Sequence, residues 1–317
     1  MVTINIDLGG TLIKTGILRN RQLVSVISDK AEPFEGLVNN LPKIEKTVDQ
    51  LLIDNNIRHE EFIGIGISFP GLVNSKSKKV LSTLKKYEDA LDLDLEDWAY
   101  HKWNVPLYIE NDARVALLGE WQHGMGIGYN DILMITLGTG IGTAVMIDGK
   151  LLIGKHFQAG NLGSHITVNY NGELCPCGNI GCMESESSTW RLPKLIRSTT
   201  GFKNSLLKNE KKLDYEALFR NATLNDSVAC KVLDHSYLIW ASGIISMIHA
   251  FDPEIIIISG GIMKSAEAII PELQKRIDKH AWTDWGKVKI FPARHINSAA
   301  LYGCDYLVRT RLMLKGQ

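Results

Sequence analysis

The sequence predicts an α/β protein made of two similar βββαβα units, and three observations lead there. Short β-branched runs end in Gly-Gly-Thr or Gly-Thr-Gly turns and continue into further strands, once in each half of the chain. Apolar stripes at helical spacing lie between such runs. No long low-complexity linker separates the halves, and 317 residues suggest about two domains. The expected boundaries are 1–120, joined by a closing helix at about 297–317, and 121–296, with a hinge expected near 119–130.

In order, Val2–Leu8 reads as a strand ending at Gly9-Gly10-Thr11, and Ile13–Leu18 and Leu23–Ser28 as the next two strands. Leu37, Leu41, Ile44, Val48 and Leu51 form one stripe of an amphipathic helix. Phe62–Ile67 is a strand broken at Pro70-Gly71, and Pro106–Ile109 a shorter one. Asp112 stands where a helix N-cap is expected, before a helix over Ala113–Trp121. The second cycle runs through strands at Asp131–Leu137 and Ile141–Ile147, a hairpin signal at Asp148-Gly149, and Leu151–Ile153. Residues 155–183 fit neither period, and helical patterns then dominate from Met183 to Ala250. A strand at Glu254–Ile258 ends at Ser259-Gly260-Gly261. A helix at Ser265–Lys279, a strand at Val288–Phe291 and a helix at Ser298–Leu314 close the chain.

Composition excludes several classes of function. Hydrophobic residues make up 45% and charged residues 22%, ordinary values for a globular enzyme. Lys+Arg and Asp+Glu are each 35, so no net positive charge exists to neutralise a nucleic-acid backbone. The longest apolar runs fall well short of a membrane span, and Met1 leads straight into a strand with no leader pattern, so a cytoplasmic location is expected. Among the five cysteines, Cys175, Cys177 and Cys182 cluster, which in a reducing compartment reads as metal binding before disulfide. Cys230 and Cys304 sit in apolar-periodic segments and are expected to be buried.

Two turns carry phosphate chemistry. Glycines at Gly9 and Gly10 allow backbone N–H groups close to phosphate oxygens, Thr11 adds a hydroxyl, and Asp7 can hold Mg²⁺ or its water shell. Gly138-Thr139-Gly140 offers the same in the second half. Each turn alone also fits a plain tight hairpin. Neither is a Walker A loop or a dinucleotide fingerprint, since no Gly-Lys-Ser/Thr follows and a strand, not a helix, comes next. Together with Ser259-Gly260-Gly261 they point to a nucleotide.

At Asp7–Thr11, Ser68-Phe69-Pro70-Gly71, Glu110-Asn111-Asp112-Ala113, Leu137–Gly142, the His/Cys segment and Ser259-Gly260-Gly261, the chain resembles the ROK (repressor/ORF/kinase) family of sugar kinases and repressors. The agreement is colinear over nearly the whole chain. The resemblance implies the actin-like ATPase (ribonuclease H-like) fold, two domains about a central cleft, and transfer of phosphate from ATP·Mg²⁺ to a sugar hydroxyl, usually the 6-OH. It sets the first turn, with Lys14, and the Gly138–Gly140 turn at the phosphates, Gly260 and Gly261 by the adenosine, and a homodimer as the expected assembly. Glucokinases and N-acetylhexosamine kinases are the nearest kinds.

His165, Cys175, Cys177 and Cys182 form an H-x9-C-x-C-x4-C cluster, a closed set of one imidazole and three thiolates suited to structural zinc. Gly178 and Gly181 lie where the chain must turn to aim sulfur at one point. The Cys-Pro-Cys-Gly-Asn-Ile-Gly-Cys-Met-Glu stretch is similar to the family consensus, and zinc there would fix Glu184 towards the sugar.

Phosphoryl transfer needs a carboxylate within reach of the attacking hydroxyl. Local sequence reads Asp112 as an N-cap; the resemblance makes it the general base, with Asn111, Gly71, Glu184 and His165 on sugar-contacting positions. Two departures from the family pattern bear on the sugar. Asn161 replaces the usual Glu, with one extra residue at Ser164 before His165, and Arg114 replaces a common Asn and is expected to be solvated. The sugar thus stays open among glucose, N-acetylated hexosamines, fructose or allose, and β-glucosides, as does polyphosphate in place of ATP. The rival reading is a sugar-binding regulator of the same family. Those repressors carry an N-terminal helix-turn-helix, whereas a strand is expected here from residue 2.

Overall fold

The computed structural model describes residues 1–83 and 85–315. The chain folds as two units. Unit 1 comprises residues 1–128, 153–159 and 297–317; unit 2 comprises 129–152 and 160–296.

In unit 1, strands β1 (Val2–Leu8), β2 (Leu12–Arg19) and β3 (Gln22–Lys30) form an antiparallel meander, while β4 (Phe62–Phe69) and β7 (Leu107–Asn111) run parallel to β1. The five make one sheet in the order β3-β2-β1-β4-β7. Central β1 is buried at nearly every position, its polar Thr3 and Asn5 included, because both its faces are covered. Edge strand β3 alternates exposed and half-buried residues, as a strand with one solvated face must. A small hairpin, β5 (Leu72–Asn74) with β6 (Lys79–Ser82), follows β4.

Helix α1 (Leu41–Asp54) begins later than its stripe suggests. Pro42 lacks an N–H and so fits the first turn, leaving Leu37 buried in the preceding turn. Helix α2 (Leu95–Trp103) is capped by Asp94, whose side chain accepts from the Asp97 N–H. Helix α3 (Asp112–His123) packs closely on the closing helix α9 (Ala299–Lys315). Glycine is required at that crossing: a Cβ at Gly119 would meet the Ala299 carbonyl oxygen at 1.9 Å, and one at Gly303 the Val115 carbonyl at 1.8 Å.

Unit 2 repeats the plan. An antiparallel meander of β8 (Ile132–Leu137), β9 (Ile141–Ile147) and β10 (Lys150–Leu151) is followed by parallel β11 (Ile255–Ser259) and β12 (Lys289–Pro292). Their order in the sheet is β10-β9-β8-β11-β12. Asp148 and Gly149 both take positive φ, 50° and 69°, the two-residue hairpin geometry their sequence signals. Between β10 and β11 come α4 (Met183–Ser187), α5 (Leu192–Ser198), α6 (Tyr215–Thr223) and the long α7 (Ser227–Phe251). Asp226 caps α7, accepting from the Val228 and Ala229 N–H groups, and Trp240 on its inner face is fully buried. Helix α8 (Ala266–His280) connects β11 to β12.

Two expectations about burial fail. Cys304 is buried against Gly66, but Cys230 is exposed, one position past the buried Ala229 on α7 and so turned to its outer face. Arg114, expected in solvent, is 1% exposed because α3 carries it inward beside Glu110. No helix among the described residues is long and apolar enough to cross a membrane.

Candidate functional site

Parallel pairing gathers the chemistry of unit 1. The register sets Asp7 opposite Ser68, Ser68 opposite Glu110, and Phe69 opposite Asn111. The Gly9–Thr11 turn, Gly71 and the Asn111-Asp112 pair therefore all lie at the carboxyl ends of three adjacent parallel strands, the edge where open α/β sheets bind ligands.

The first turn is tightly held. The Gly9 N–H donates to the Leu12 carbonyl at 3.0 Å, and a Cβ on Gly9 would sit 2.6 Å from that oxygen, so only glycine closes it. Tyr87, fully buried, donates its hydroxyl to the Gly9 carbonyl at 2.8 Å. Burial and the nearby Asp7 carboxylate push the Tyr87 phenol up to about 12, so it remains a donor. Gly10 and Thr11 are exposed. Burial raises the Asp7 carboxyl against the opposing pull of a 2.8 Å hydrogen bond from Ser68 and the charge of Lys14. Lys14 itself donates to the Asn297 carbonyl at 2.9 Å.

At the start of α3 the N-cap is Asn111, not Asp112. Its side-chain oxygen accepts from the Ala113 N–H at 2.9 Å and the Arg114 N–H at 3.2 Å. Strand β7 runs through Asn111 with extended backbone, so the cap falls one residue earlier than expected. The same amide donates to the Gly71 carbonyl at 3.0 Å and to Asp112 Oδ1 at 2.9 Å, tying Gly71 to the carboxylate. A Cβ on Gly71 would lie 2.1 Å from the Ser82 carbonyl oxygen. Asp112 becomes the first helical residue and is half-buried, with Oδ1 also 2.8 Å from the Ala113 N–H. Burial chiefly draws its pKa up to about 6; the Asp7 charge adds to the rise, while the Ala113 N–H, Lys86 and Asn111 oppose it.

Arg114 pairs with the buried Glu110 at 3.3 Å and donates to the Ala159 carbonyl at 2.9 Å, which fastens the 153–159 segment to unit 1. The Glu-x-x-x-Arg spacing was the one signal for this pair; for Tyr87 and Lys86, in a stretch of no period, there was none.

In unit 2, β8 and β11 run side by side, bringing the Gly138–Gly140 turn next to Gly260-Gly261. Gly260 has φ +101°, and a Cβ there would meet the Leu137 carbonyl oxygen at 2.1 Å; Gly261 has open space around it. The Thr189 and Trp190 N–H groups hold the Gly138 and Thr139 carbonyls, and the Ile141 N–H donates to Glu184 Oε2 at 2.9 Å. Asn161 is buried, and its amide donates to the Thr143 carbonyl at 3.0 Å. The Thr143 hydroxyl staples the same bend, donating to the Gly160 carbonyl and accepting from the Gly163 N–H.

His165, Cys175, Cys177 and Cys182 converge, their ligand atoms all within 4.8 Å of one another. His165 Nδ1 lies 3.6 Å from Cys175 Sγ, and the Cys177 and Cys182 sulfurs are 3.7 Å apart. A tetrahedral ion with metal–sulfur bonds near 2.3 Å and metal–nitrogen bonds near 2.0–2.1 Å requires edges of about 3.6 and 3.8 Å, which these two distances match, so the four residues fit such an ion. Gly178 and Gly181 adopt φ of 93° and 65°, and a Cβ on Gly181 would meet the Asn169 carbonyl oxygen at 1.7 Å. Met183, next after Cys182, is buried at the start of α4 and carries the anchored loop directly into Glu184.

The matched strand orders and the two glycine turns mark a two-unit nucleotide-binding type of fold, and the chain belongs to the ROK family, whose pattern covers residues 3–311. It is 27% identical over 318 residues to a glucokinase of Thermotoga maritima, spanning 98% of both chains. It is 28% identical over 312 residues to the xylose repressor of Bacillus subtilis, spanning 96% of this chain and 76% of that one. Among solved structures, a ROK family glucokinase from Streptomyces griseus in complex with glucose and AMPPNP aligns with TM-score 0.78 and 25% identity, over 98% of this chain and all of that one. The fold is that of the actin-like ATPases.

Proposed function

We propose that this protein is an ATP-dependent kinase that phosphorylates the 6-hydroxyl of a hexose or hexose derivative, with Asp112 as general base. The observation that carries the reading is the Asp112 carboxylate, oriented by Asn111 and the Ala113 N–H and drawn up to about 6. A base with a pKa near the working pH accepts a proton effectively while staying largely ionised. The chain's likeness to glucokinases, one of them solved with glucose and an ATP analogue, supports the reading.

In this reading the Gly9–Thr11 and Gly138–Gly140 turns present N–H groups to phosphate oxygens, and Gly260 and Gly261 leave room for adenosine. Asp7, where the Ser68 hydrogen bond and the Lys14 charge oppose the rise caused by burial, suits Mg²⁺ or its water shell, which would neutralise phosphate charge. The sugar oxygen bonds to the γ-phosphorus as the bond to the β,γ-bridging oxygen breaks. The hydroxyl proton passes to Asp112, and the electron pair leaves with ADP. Gly71, Asn111, Asn161, His165 and Glu184 line the sugar, with Asn111 mainly fixing Asp112. His165, Cys175, Cys177 and Cys182 hold structural zinc. Burial, with the neighbouring sulfurs, raises the Cys175 and Cys182 thiols, and a dication supplies the countercharge that thiolates there need.

A coupled ADP-release assay across a panel of sugars tests the proposal. Turnover with at least one hexose is expected. Sugar binding without ADP release on any sugar would favour a regulatory protein instead, and the likeness to the xylose repressor makes that the second reading.

A further inference from the structure

We propose that Lys86 is a further catalytic residue, its ammonium contacting the γ-phosphoryl group as it passes from ATP to the sugar. This rests on the kinase reading above.

Three observations place it there. A methyl group built on Gly10 would lie 3.2 Å from Lys86 Nζ and 3.3 Å from its Cε, so the ammonium lies over the first glycine turn. A side chain at position 10 would crowd it. Its charge also reaches Asp112, where it opposes the rise in that carboxyl's pKa caused by burial and by Asp7. Lys86 thus spans the phosphate turn and the base, where acceptor hydroxyl and phosphoryl group must meet. Among the described residues its ammonium has no hydrogen-bond or ion-pair partner, although its charge is felt at the Asp112 carboxylate. A half-buried ammonium left without a partner beside a phosphate turn is suited to an anion.

The backbone supports an imposed position. Lys85 and Tyr87, on either side of Lys86, both take left-handed conformations, with φ of 68° and 55°. Neither is glycine, and such residues persist only where the surroundings determine them. The Tyr87 hydroxyl bonded to the Gly9 carbonyl at 2.8 Å and the Lys86 N–H bonded to the Thr83 carbonyl at 3.0 Å are those constraints. The strained turn therefore fastens Lys86 to the same glycine loop that its ammonium overlies. A positive charge held against the migrating group lowers the barrier without reorganising, which is how fixed cations act in phosphoryl transfer.

The test compares Lys86→Met, Lys86→Gln and Lys86→Arg with the wild type on the best hexose of the panel. Turnover, equilibrium sugar binding and thermal melting are followed together. Both neutral variants should fold and bind sugar within about threefold of wild type while kcat falls by about 10²-fold, the scale for losing one transition-state charge contact. Lys86→Arg should recover a substantial part of kcat. Unchanged kcat in both neutral variants would overturn the proposal and leave the kinase reading standing. So would weaker sugar binding at unchanged kcat, which would make Lys86 a sugar ligand. A wild type inactive on every sugar would overturn the kinase reading itself, and this inference with it.

Discussion

Replacing Asp112 by Asn should make the protein more stable and nearly inactive at once. Its carboxyl is raised from 3.8 to about 6, chiefly by burial. The folded state therefore binds a proton at Asp112 more tightly than the unfolded chain. The favourable contribution is fully present below the unfolded pKa near 3.8 and is lost as pH rises through about 6. At 1.36 kcal/mol for each tenfold change, the full difference is about 3 kcal/mol, and solvent screening of a half-buried group lowers it to about 1–2 kcal/mol. Asn is neutral at every pH, and its oxygen can still accept from the Ala113 N–H. Denaturant midpoints at pH 4.5, 6 and 8 should show the variant gaining on the wild type by about 1–2 kcal/mol across that range, most of it between pH 4.5 and 6. In the wild type, kcat/KM should fall as pH drops through about 6, where the base becomes protonated. The variant should lose about 10²–10⁴-fold in kcat while binding ATP and sugar nearly as before. A gap that does not widen with pH would show that the ionised carboxylate is not costly in the fold. Near-wild-type turnover would remove Asp112 from the chemistry.

Metal analysis of purified protein should find about one zinc per chain, and Cys177→Ser should lose both the metal and sugar affinity; protein free of zinc, or a serine variant binding sugar normally, would refute the structural role. Arg114→Met should destabilise by about 3–5 kcal/mol in denaturant melts, because it strands the buried Glu110 carboxylate; the double change with Glu110→Gln should recover much of that loss. Asn161→Glu brings acceptors against the Thr143 carbonyl that Asn161 now donates to, so it should cost about 1–3 kcal/mol of stability. In a kcat/KM panel the wild type should prefer a modified or epimeric hexose, a β-glucoside included, to plain glucose, and the variant should shift towards glucose; glucose as clear favourite of both would free Asn161 of any role in selection.

What could be read from the sequence was whatever depends on neighbours along the chain. The strand expected at Ile13–Leu18 is β2 at Leu12–Arg19, and the helix expected at Ser265–Lys279 is α8 at Ala266–His280. The Cys/His spacing is of the same kind: a short loop with Gly178 and Gly181 closes four ligands locally. Helix α2 went unread because its inward residues, Leu95, Ala99 and Trp103, alternate with aromatic and charged residues that blur the stripe. Arg114 was misjudged because burial of a charge depends on its partner. That partner, Glu110, stands on strand β7 rather than on the helix, and while the four-residue spacing hints at a pair it says nothing of its burial.

The chemistry proposed for Asp112 belongs to the second kind. Position in the sequence makes it a carboxylate at a helix start, which ordinarily favours ionisation. Its elevation comes from burial and from the Asp7 charge, and Asp7 reaches it because β1, β4 and β7 lie parallel with Asp7, Ser68 and Glu110 in one cross-strand row. No periodicity encodes that register. The opposing charge, Lys86, arrives from a turn without repeat or motif, held by a tyrosine bonded to a carbonyl 78 residues earlier. A motif can therefore nominate the base, but the pH at which it works is set by the groups that the parallel sheet and this turn bring around it.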